Sequence, residues 1–543
     1  MDYDIAIIGA GVTGSAIARE LSKYALKICV IEAHSDVCEG TSKANSGIVH
    51  AGFDAYPGSL KAKLNSKGAK KMEAMSQELD FPFRRNGAMV VAFSEEEISK
   101  LEKLAEQSIE NRVGELKIIS GDEARELEPA LSEDIVAALL IEQSGIVCPF
   151  NMTIAFAENA VTNGVEFKLN SRVTDVKIED SGYILTIDYD PPAYFKNRQK
   201  KSFSHDSYDN SQDTRQKLSA TMVINAAGVY GDLIHNQVVR QIAGAGKEDI
   251  LEEIIPRRGE YCLYDHEYGT FVQRTIFQVP TELGKGVLVT PTVHWNLMIG
   301  PNAVDIDDKG DNITTAEGLE EVLKKGAKSL KEMPAKNKII TSFAGIRAHR
   351  PADDFLIEEI NGAPGFIDVI GIESPGLSCA PAMGEYVAEI VARSASEHNL
   401  FRMDRKPEWN GKRKGFTALW DAAPEERDKM VRENPSYGQM ICRCEKVSKG
   451  EIEEAINRPL GATTLDGLKR RVRTGAGRCQ EGFCTPKLLE ILAENLDCTV
   501  EDITKSGGKS FVLSETFPGN TEETMTLGNL SRGTEEVRGN EEI

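Results

Sequence analysis

The chain is short of positive charge. Its 543 residues hold 64 Lys and Arg against 85 Asp and Glu, a formal net charge of −21. A protein that neutralises a phosphate backbone needs the opposite balance, so the composition argues against nucleic-acid binding. A locally basic pocket for a small anion stays compatible with it. The sequence also lacks any apolar run near the roughly 20 residues that a membrane span needs. It opens directly on a strand pattern, without the basic region, apolar stretch and small-residue cleavage site of a leader. The expectation is a soluble, cytoplasmic protein that reaches a membrane only through a partner. Hydrophobic residues at 41% and charged residues at 27% exclude collagen, coiled-coil and wholly disordered chains. There are no internal repeats.

Cysteine is unevenly placed. Six of the ten are scattered, at 29, 38, 148, 262, 379 and 498, and four are grouped as Cys442, Cys444, Cys479 and Cys484. In a reducing compartment a group of four points to a metal or cluster site, not to disulfides.

Residues 4–9 read DIAIIG, a short apolar strand, and the run Gly9-Ala10-Gly11-Val12-Thr13-Gly14 follows at once. SAIARELSKY then has helical spacing, and KICVIEA is a second buried strand ending at Glu32. Strand, glycine turn, helix, strand and acid in this order make a dinucleotide site. Gly9 permits the tight turn, Gly11 lets the backbone approach a pyrophosphate, and Gly14 lets the helix pack on the strand. The helix N-terminus offers unpaired N–H groups to the phosphates. Glu32 can accept ribose hydroxyls and would repel a 2′-phosphate. Spacing alone does not separate NAD from FAD.

The stretch 40–52, GTSKANSGIVHAG, is rich in glycine and small polar residues, so its backbone can lie against a flat ligand. With the glycine turn before it, this loop resembles the flavin-proximal loop of the FAD-dependent oxidoreductases related to D-amino-acid oxidase. Thr41, Ser42, Asn45 and Ser46 are its expected flavin contacts. Three further pieces resemble the same family, in its order. SRVTDVKI, at 171–178, is similar to the strand whose backbone at Val173 meets the adenine. MVINAAGVYGD, at 222–232, resembles the strand and turn that return to the FAD domain through Ala227 and Gly228. FIDVIGIESPGLSCAPAMGEYVAEIV is a strand, a turn at Gly371 and a helix start. Its N–H groups at Gly376, Leu377 and Ser378 would stabilise negative charge on a reduced flavin. YPGSLKAKL, at 56–64, looks most like the L-2-hydroxyglutarate branch of the family.

The resemblance implies two catalytic candidates. Arg347, in SFAGIRAHRPADDFLIE, is expected after a Gly-Ile turn, where its fork suits a carboxylate or a phosphate equally. His50 lies in the small-residue loop. It would accept the proton of a substrate hydroxyl as hydride leaves, or pack against the ring as a shape element. Arg350 and His349 are less specific, and Tyr261 and Arg274 are expected to be structural.

In the C-terminal part, Cys442 and Cys444 form C-x-C, and Cys479 and Cys484 form C-x4-C after 34 intervening residues. A one-residue gap is tight for the two C-x2–4-C knuckles of a zinc site, though structural zinc remains the alternative. CRCE and TGAGRCQEGFC resemble the bacterioferritin-associated-ferredoxin type of [2Fe–2S] domain, for which four thiolates suffice. An FAD domain followed by this module resembles the large subunits of bacterial anaerobic glycerol-3-phosphate dehydrogenases. That implies FAD and a [2Fe–2S] cluster as cofactors and a small anionic hydroxy substrate. The electrons would pass to an accepting subunit, an NAD-linked flavoprotein or a membrane-anchoring, quinone-linked protein. Glycerol 3-phosphate leads as substrate. L-2-hydroxyglutarate or another 2-hydroxy acid, and amine or amino-acid oxidation on the same fold, are the alternatives.

The expected fold class is α/β plus α+β. A Rossmann-like FAD-binding domain (about 1–80, 145–235 and 340–400) would be interleaved with an antiparallel-sheet substrate domain (about 81–144 and 236–339). Together they make the oxidoreductase region, 1–400. A linker at 401–438, a small helical [2Fe–2S] module at 439–505 and a flexible tail at 515–543 would follow. The polar stretch 190–217 reads as a long exposed hairpin or loop.

Overall fold

The computed structural model describes residues 1–192, 194–195, 214–242, 250–280 and 286–513. Two large sheets, a small three-stranded one (Ile48–Val49, Gly145–Val147 and Phe83–Arg84) and a small C-terminal module make up the described chain. The tip of the 190–217 insertion and the expected tail lie outside the described residues.

The first sheet is centred on Tyr3–Ile8, flanked in parallel by Ile28–Ile31 and by Arg215–Asn225. These strands are apolar on both sides, as covered parallel strands must be. Ile5 and Ile7 enter one core, with the helices Val12–Leu21, Pro149–Thr162 and Gly376–Glu397. Ala6 and Ile8 enter the other, with the helix Gly231–Ile242. The period of two thus splits one strand between two hydrophobic layers. Arg215–Asn225 changes partner along its length. Its first half pairs antiparallel with Gly182–Tyr189, and its last three residues pair in parallel with Phe366–Ile370. Helices meet closely where glycine allows it: a Cβ on Gly68 would stand 2.1 Å from the Ser378 carbonyl oxygen.

The second sheet has nine strands and is antiparallel except for the parallel pair Ala88–Ala92 and Thr275–Gln278. The stretch 286–301 forms a hairpin, Leu288–Pro291 and Leu297–Gly300, whose turn closes through Thr292 and Asn296. One expectation is corrected in this sheet. Ile339–His349 is one eleven-residue strand, so Arg347 lies within a strand and not after a turn. That strand pairs with Ile255–Tyr264 in the second sheet. The chain therefore returns to the first sheet after His349, not near residue 340.

The C-terminal module has a two-stranded hairpin, Met440–Cys442 with Val447–Ser448, and helices Lys449–Ile456, Leu465–Val472 and Thr485–Leu496. They close over Ile452, Leu468, Leu488 and Leu492. No helix among the described residues is long and apolar enough to cross a membrane.

The expected linker is not a bare tether. It carries a helix, Pro424–Glu433, and its earlier part is bonded to the first unit. Lys406 N–H donates to the Lys23 carbonyl, and Trp409 Nε1 to Ser22 Oγ. Arg413 meets Glu158, as does Arg458 of the module, whose Nε and Nη2 lie 2.8 and 2.7 Å from the carboxylate oxygens. Glu158 is 2% exposed, so two guanidiniums converge on one buried acid that ties helix, linker and module together.

Removing one member of such a buried cluster leaves charge uncompensated, at a cost of about 3–5 kcal/mol. Glu158→Gln is expected to destabilise by about that amount. Thermal unfolding followed by near-UV circular dichroism checks it, and an unchanged midpoint would refute it.

Candidate active site and cysteine centre

A cavity of about 610 Å³ is lined by both sheets. One end is built on the glycine turn. Gly9 sits at φ +102°, and a Cβ there would meet the Ala226 carbonyl oxygen at 2.4 Å. A Cβ on Gly14 would stand 2.0 Å from the Gly9 oxygen. Gly14 thus does not line the cavity but allows the turn that does. Gly11 is the N-cap of its helix and has no side chain to offer. Ser42 Oγ instead accepts from Val12 N–H at 2.9 Å.

Glu32 lines the same end and also braces the turn. Its Oε2 accepts from Ala10 N–H at 2.7 Å, and its Oε1 from His34 N–H at 2.9 Å. Oε1 also meets His34 Nδ1 at 2.8 Å, whereas Oε2 keeps a second acceptor position for a ribose hydroxyl. The Glu32 contact also raises the His34 imidazole above its ordinary value. Val173, Ala227 and Gly228 complete this end. The turn, the acid and the open strand ends fit the adenosine and pyrophosphate of a dinucleotide.

At the other end the 40–52 loop is held from three sides. A Cβ on Gly345 would come 1.9 Å from the Ala44 oxygen, and Thr41 Oγ1 donates to the Ile346 carbonyl at 2.5 Å. Gly47, at φ +64°, approaches the Val147 oxygen. Asn45 staples the loop, donating to the Thr41 and Ser42 carbonyls and accepting from Gly47 N–H. Thr41, Ser42, Asn45 and Ser46 all line the cavity, with Gly376 and Leu377 at the helix start facing them. Ser378 and Gly371 do not. Ser378 Oγ accepts from His50 N–H at 2.8 Å, so it positions the loop. Gly371, at φ +69°, makes the turn and packs on Arg350.

His50 is buried and lines the cavity. Its ring centroid lies 5.6 Å from that of Phe277. With its amide oriented to satisfy both ends, Asn65 donates to the His50 carbonyl and accepts from Gly52 N–H. Arg347 lines the cavity from the second sheet. It lies two residues beyond Gly345 and so on the same face of the strand, the face that meets the loop. Its Nη2 donates to the Asn302 carbonyl at 2.6 Å, in space that a Cβ on Gly259 would fill. Among the described residues Arg347 makes no ion pair. Three cationic neighbours in the cavity wall do: Lys61 with Asp353 and Glu373, Arg257 with Asp305, and Lys325 with Glu321; Arg172, beside Val173, makes none among the described residues.

Sequence reading missed Lys61, Arg257 and Tyr56 as lining residues. Lys61 stands in the quoted YPGSLKAKL segment, and a lysine among small residues was the available signal. Tyr261 lines the cavity too, stacked on Phe343 at 4.7 Å. Burial pushes its phenol up, so it stays a donor. Arg274 pairs with Glu128, Arg350 with Glu252 and His349 with Glu373, all structural contacts.

The four grouped cysteines come together as two pairs. Cys444 Sγ and Cys479 Sγ are 3.4 Å apart, and Cys442 is hydrogen-bonded to Cys484. That bond, with backbone N–H groups of Gly475 and Glu445, brings the Cys442 thiol down to about 6. Among the described residues no three of the four sulfurs lie within 4.8 Å of one another. Two pairs suit two metal atoms better than the single tetrahedron of zinc. Gly477 makes room, since a Cβ there would meet Cys444 Cβ at 2.4 Å. Gln480 and Glu481 both adopt positive φ, a backbone cost that functional loops sustain.

The cysteine module docks onto the body through buried ion pairs. Asp36 receives Arg471 Nη1 and Nη2 and Arg470 Nη2, and Glu39 also pairs with Arg470. Glu445 pairs with His266 and Arg473. Burial works against the Asp36 charge, but Arg471 and Arg470 outweigh it and hold the carboxyl below its ordinary range.

Comparison with known proteins agrees with this geometry. Residues 4–390 match the FAD dependent oxidoreductase family, and residues 440–494 the BFD-like [2Fe-2S] binding domain. The chain is 44% identical over 513 residues to a glycerol 3-phosphate dehydrogenase of Caloramator mitchellensis, covering 94% of this chain and 98% of that one. It is 32% identical to a glycerol 3-phosphate oxidase of Mycoplasma pneumoniae, covering 75% of this chain and 97% of the relative. An L-2-hydroxyglutarate dehydrogenase of Arabidopsis thaliana is 27% identical over 72% of this chain and 83% of its own length. The solved dithionite-reduced L-alpha-glycerophosphate oxidase of M. pneumoniae, with FAD bound, superposes with a TM-score of 0.64 at 31% identity over 76% of this chain and 98% of its own. The chain belongs to the FAD-dependent oxidoreductase family. It is a flavoenzyme with a [2Fe–2S] domain.

Asp36→Asn leaves two buried guanidiniums short of charge, so the module is expected to loosen. Hydrogen exchange in residues 440–503 would rise at least about ten-fold, the equivalent of 1.4 kcal/mol. In the unsubstituted protein the depressed Asp36 value sets the sign. Its contribution is complete above the ordinary carboxylate pKa of about 3.9 and is lost as pH falls through the lower folded value. Equal exchange in both proteins would refute the docking role.

Proposed function

We propose that the chain oxidises sn-glycerol 3-phosphate to dihydroxyacetone phosphate and exports the electrons through its cysteine module to a partner. The observation that carries the substrate class is Arg347, a cavity guanidinium without a carboxylate partner among the described residues, facing the same space as Lys61, Arg257 and Lys325, which have one. When bound, FAD supplies a hydride acceptor and the cluster a one-electron carrier. Every other part of the chemistry belongs to side chains of this chain.

Arg347 offers its fork to the phosphate, and the Asn302 carbonyl fixes the guanidinium's orientation. His50 takes the hydroxyl proton, on a backbone that Ser378 and Asn65 hold at both ends. The walls exclude water through Tyr261, Leu288 and Ile48. The Gly9 turn, Glu32 and Val173 hold the adenosine half of FAD. Thr41, Ser42, Asn45, Ser46, Gly376 and Leu377 surround its ring half. Cys442, Cys444, Cys479 and Cys484 hold the cluster. A carboxylate would also satisfy Arg347. The 44% identity over nearly the whole chain, against 27% over 72%, favours the phosphate substrate.

Length supports electron export. The Mycoplasma oxidase is matched over 97% of itself yet only 75% of this chain, whereas the Caloramator dehydrogenase extends over 94%. An enzyme that hands electrons to O₂ needs no such module. An accepting protein subunit, NAD-linked or membrane-anchored, is the partner class this reading requires.

Anaerobic mixing with glycerol 3-phosphate should bleach the visible flavin band. If L-2-hydroxyglutarate or an amino acid bleaches it and glycerol 3-phosphate does not, the substrate assignment fails. Arg347→Lys keeps the charge but loses the fork, and is expected to raise KM about 10²-fold, near 2.7 kcal/mol. Cys479→Ser is expected to abolish the cluster's visible and paramagnetic signals and electron delivery to a protein acceptor, while substrate still bleaches the flavin. Loss of both steps in a folded, flavin-loaded variant would instead mark the module as structural.

A further inference from the structure

The face of the module that carries the cysteines has a charge opposite to that of the chain. In residues 441–487 the exposed charged residues are Arg443, Lys446, Arg478 and Lys487, all cations, while every acid in the same stretch is buried or half-buried; Arg478 pairs with Asp265 of the body and Lys487 with Glu490, and Arg443 and Lys446 make no ion pair among the described residues. The whole chain carries −21. These cations follow the cysteine ligands in sequence. Arg443 lies between Cys442 and Cys444, and Arg478 directly precedes Cys479. Cys444 and Cys479, the half-buried pair, form the solvent side of the set, and Cys442 and Cys484 the buried side. Phe483, directly before Cys484, is 85% exposed. No packing requirement explains a phenyl ring held in water on a tight loop between two ligands. The module already meets the body through Arg470 and Arg471 on Asp36 and Glu39, Glu445 on His266, and Arg478 on Asp265.

We propose that the exposed cations beside the cysteines, Arg443 and Lys446 foremost, with Phe483 on the Cys479–Cys484 loop, form the docking surface for an acidic, one-electron-accepting redox protein. The inference rests on the electron-export reading above and adds where the partner binds and what charge it carries. The transfer moves one electron from the reduced centre to the partner's acceptor, with no proton moved and no bond made or broken. Small apolar centres with complementary charged rims suit short-lived electron-transfer encounters, in which charge governs the on-rate and salt weakens it. An acidic partner is favoured over an anionic membrane because the cations track the ligands, where the electron must leave, and the apolar content is one ring.

The test uses the flavin- and cluster-loaded protein, photoreduced with deazaflavin, and two soluble haem proteins as probes: acidic cytochrome b5 and basic cytochrome c. Cytochrome b5 is expected to be reduced faster than cytochrome c at about 20 mM salt, with its rate falling roughly ten-fold or more by about 300 mM. Arg443→Glu should slow it by about ten-fold and flatten the salt dependence. Phe483→Ser should slow it about five-fold and leave the salt dependence intact. Both variants must keep the cluster spectrum and the rate of flavin-linked dye reduction. If either fails to load its cluster, the salt dependence of the unsubstituted protein decides alone. Salt-independent rates, or a preference for cytochrome c, would overturn the proposal. So would sedimentation with phosphatidylglycerol vesicles that Arg443→Glu abolishes while cytochrome b5 reduction is unchanged. Because reduction is by light, failure of glycerol 3-phosphate to bleach the flavin removes the substrate assignment and leaves this test standing. Cytochrome b5 reduction by Cys479→Ser at the normal rate removes the export reading itself.

Discussion

The loop at 40–50 lies in a space with almost no tolerance, and the site depends on that confinement. Gly345 lets the second sheet touch it at Ala44, Gly47 lets it touch Val147, and Ser378 fixes it at His50. None of these contacts survives an added methyl group without backbone movement, because the groups approached are carbonyl oxygens or backbone. Close-packed interiors transmit such shifts. His50 and Arg347 come from different sheets, yet both are referenced to this one loop. Their separation is therefore set by backbone contact, not by long flexible side chains. Under the proposed roles of His50 and Arg347, preorganisation of this kind spares a reorientation with each substrate.

Charge is arranged with the same economy. Lys61, Arg257 and Lys325 bring positive potential to the cavity but are matched by carboxylates. Arg347 is held by a neutral carbonyl, so an incoming anion displaces no resident charge. At the module interface the logic is different. Asp36, Arg470 and Arg471 are almost wholly buried, and burying three charges is not a cheap way to gain stability. What it supplies is a unique orientation: a wrong docking angle would strand a charge, whereas an apolar contact could slide.

Much of this was legible in the sequence, and the reasons for the exceptions are physical. The nucleotide end could be read because its glycines are required by local geometry, at Gly9 and Gly14 within a few residues of each other. The grouping of the four cysteines could be read because two short loops supply all four. The strand holding Arg347 could not, because the Gly345-Ile346 pair looks like a turn, and the glycine is instead demanded by Ala44, 301 residues away in the chain. Ser378 looked like an N–H donor at a helix start. Its hydroxyl is engaged with His50, a contact that no local pattern encodes. The 401–438 segment read as a linker from its polarity. Its arginine and tryptophan are polar residues that bind, to Glu158 and Ser22, and composition alone does not distinguish a solvated charge from a buried one.

The most consequential feature lies where the two cofactor regions share a segment. Residues 36–46 leave the strand that ends at Glu32, bond the module through Asp36 and Glu39, and then line the cavity from Gly40 to Ser46. Glu39 also pairs with Lys43, within the same short loop. One continuous piece of backbone is thus in contact with both the flavin cavity and the helix that precedes the cysteine loop. Electron transfer between separate carriers requires that their spacing be held while substrates and partners come and go. Here the spacing is tied to a loop that is itself immobilised by glycine contacts on one side and buried ion pairs on the other. The confinement that shapes the cavity therefore also fixes the placement of the cysteine module against it.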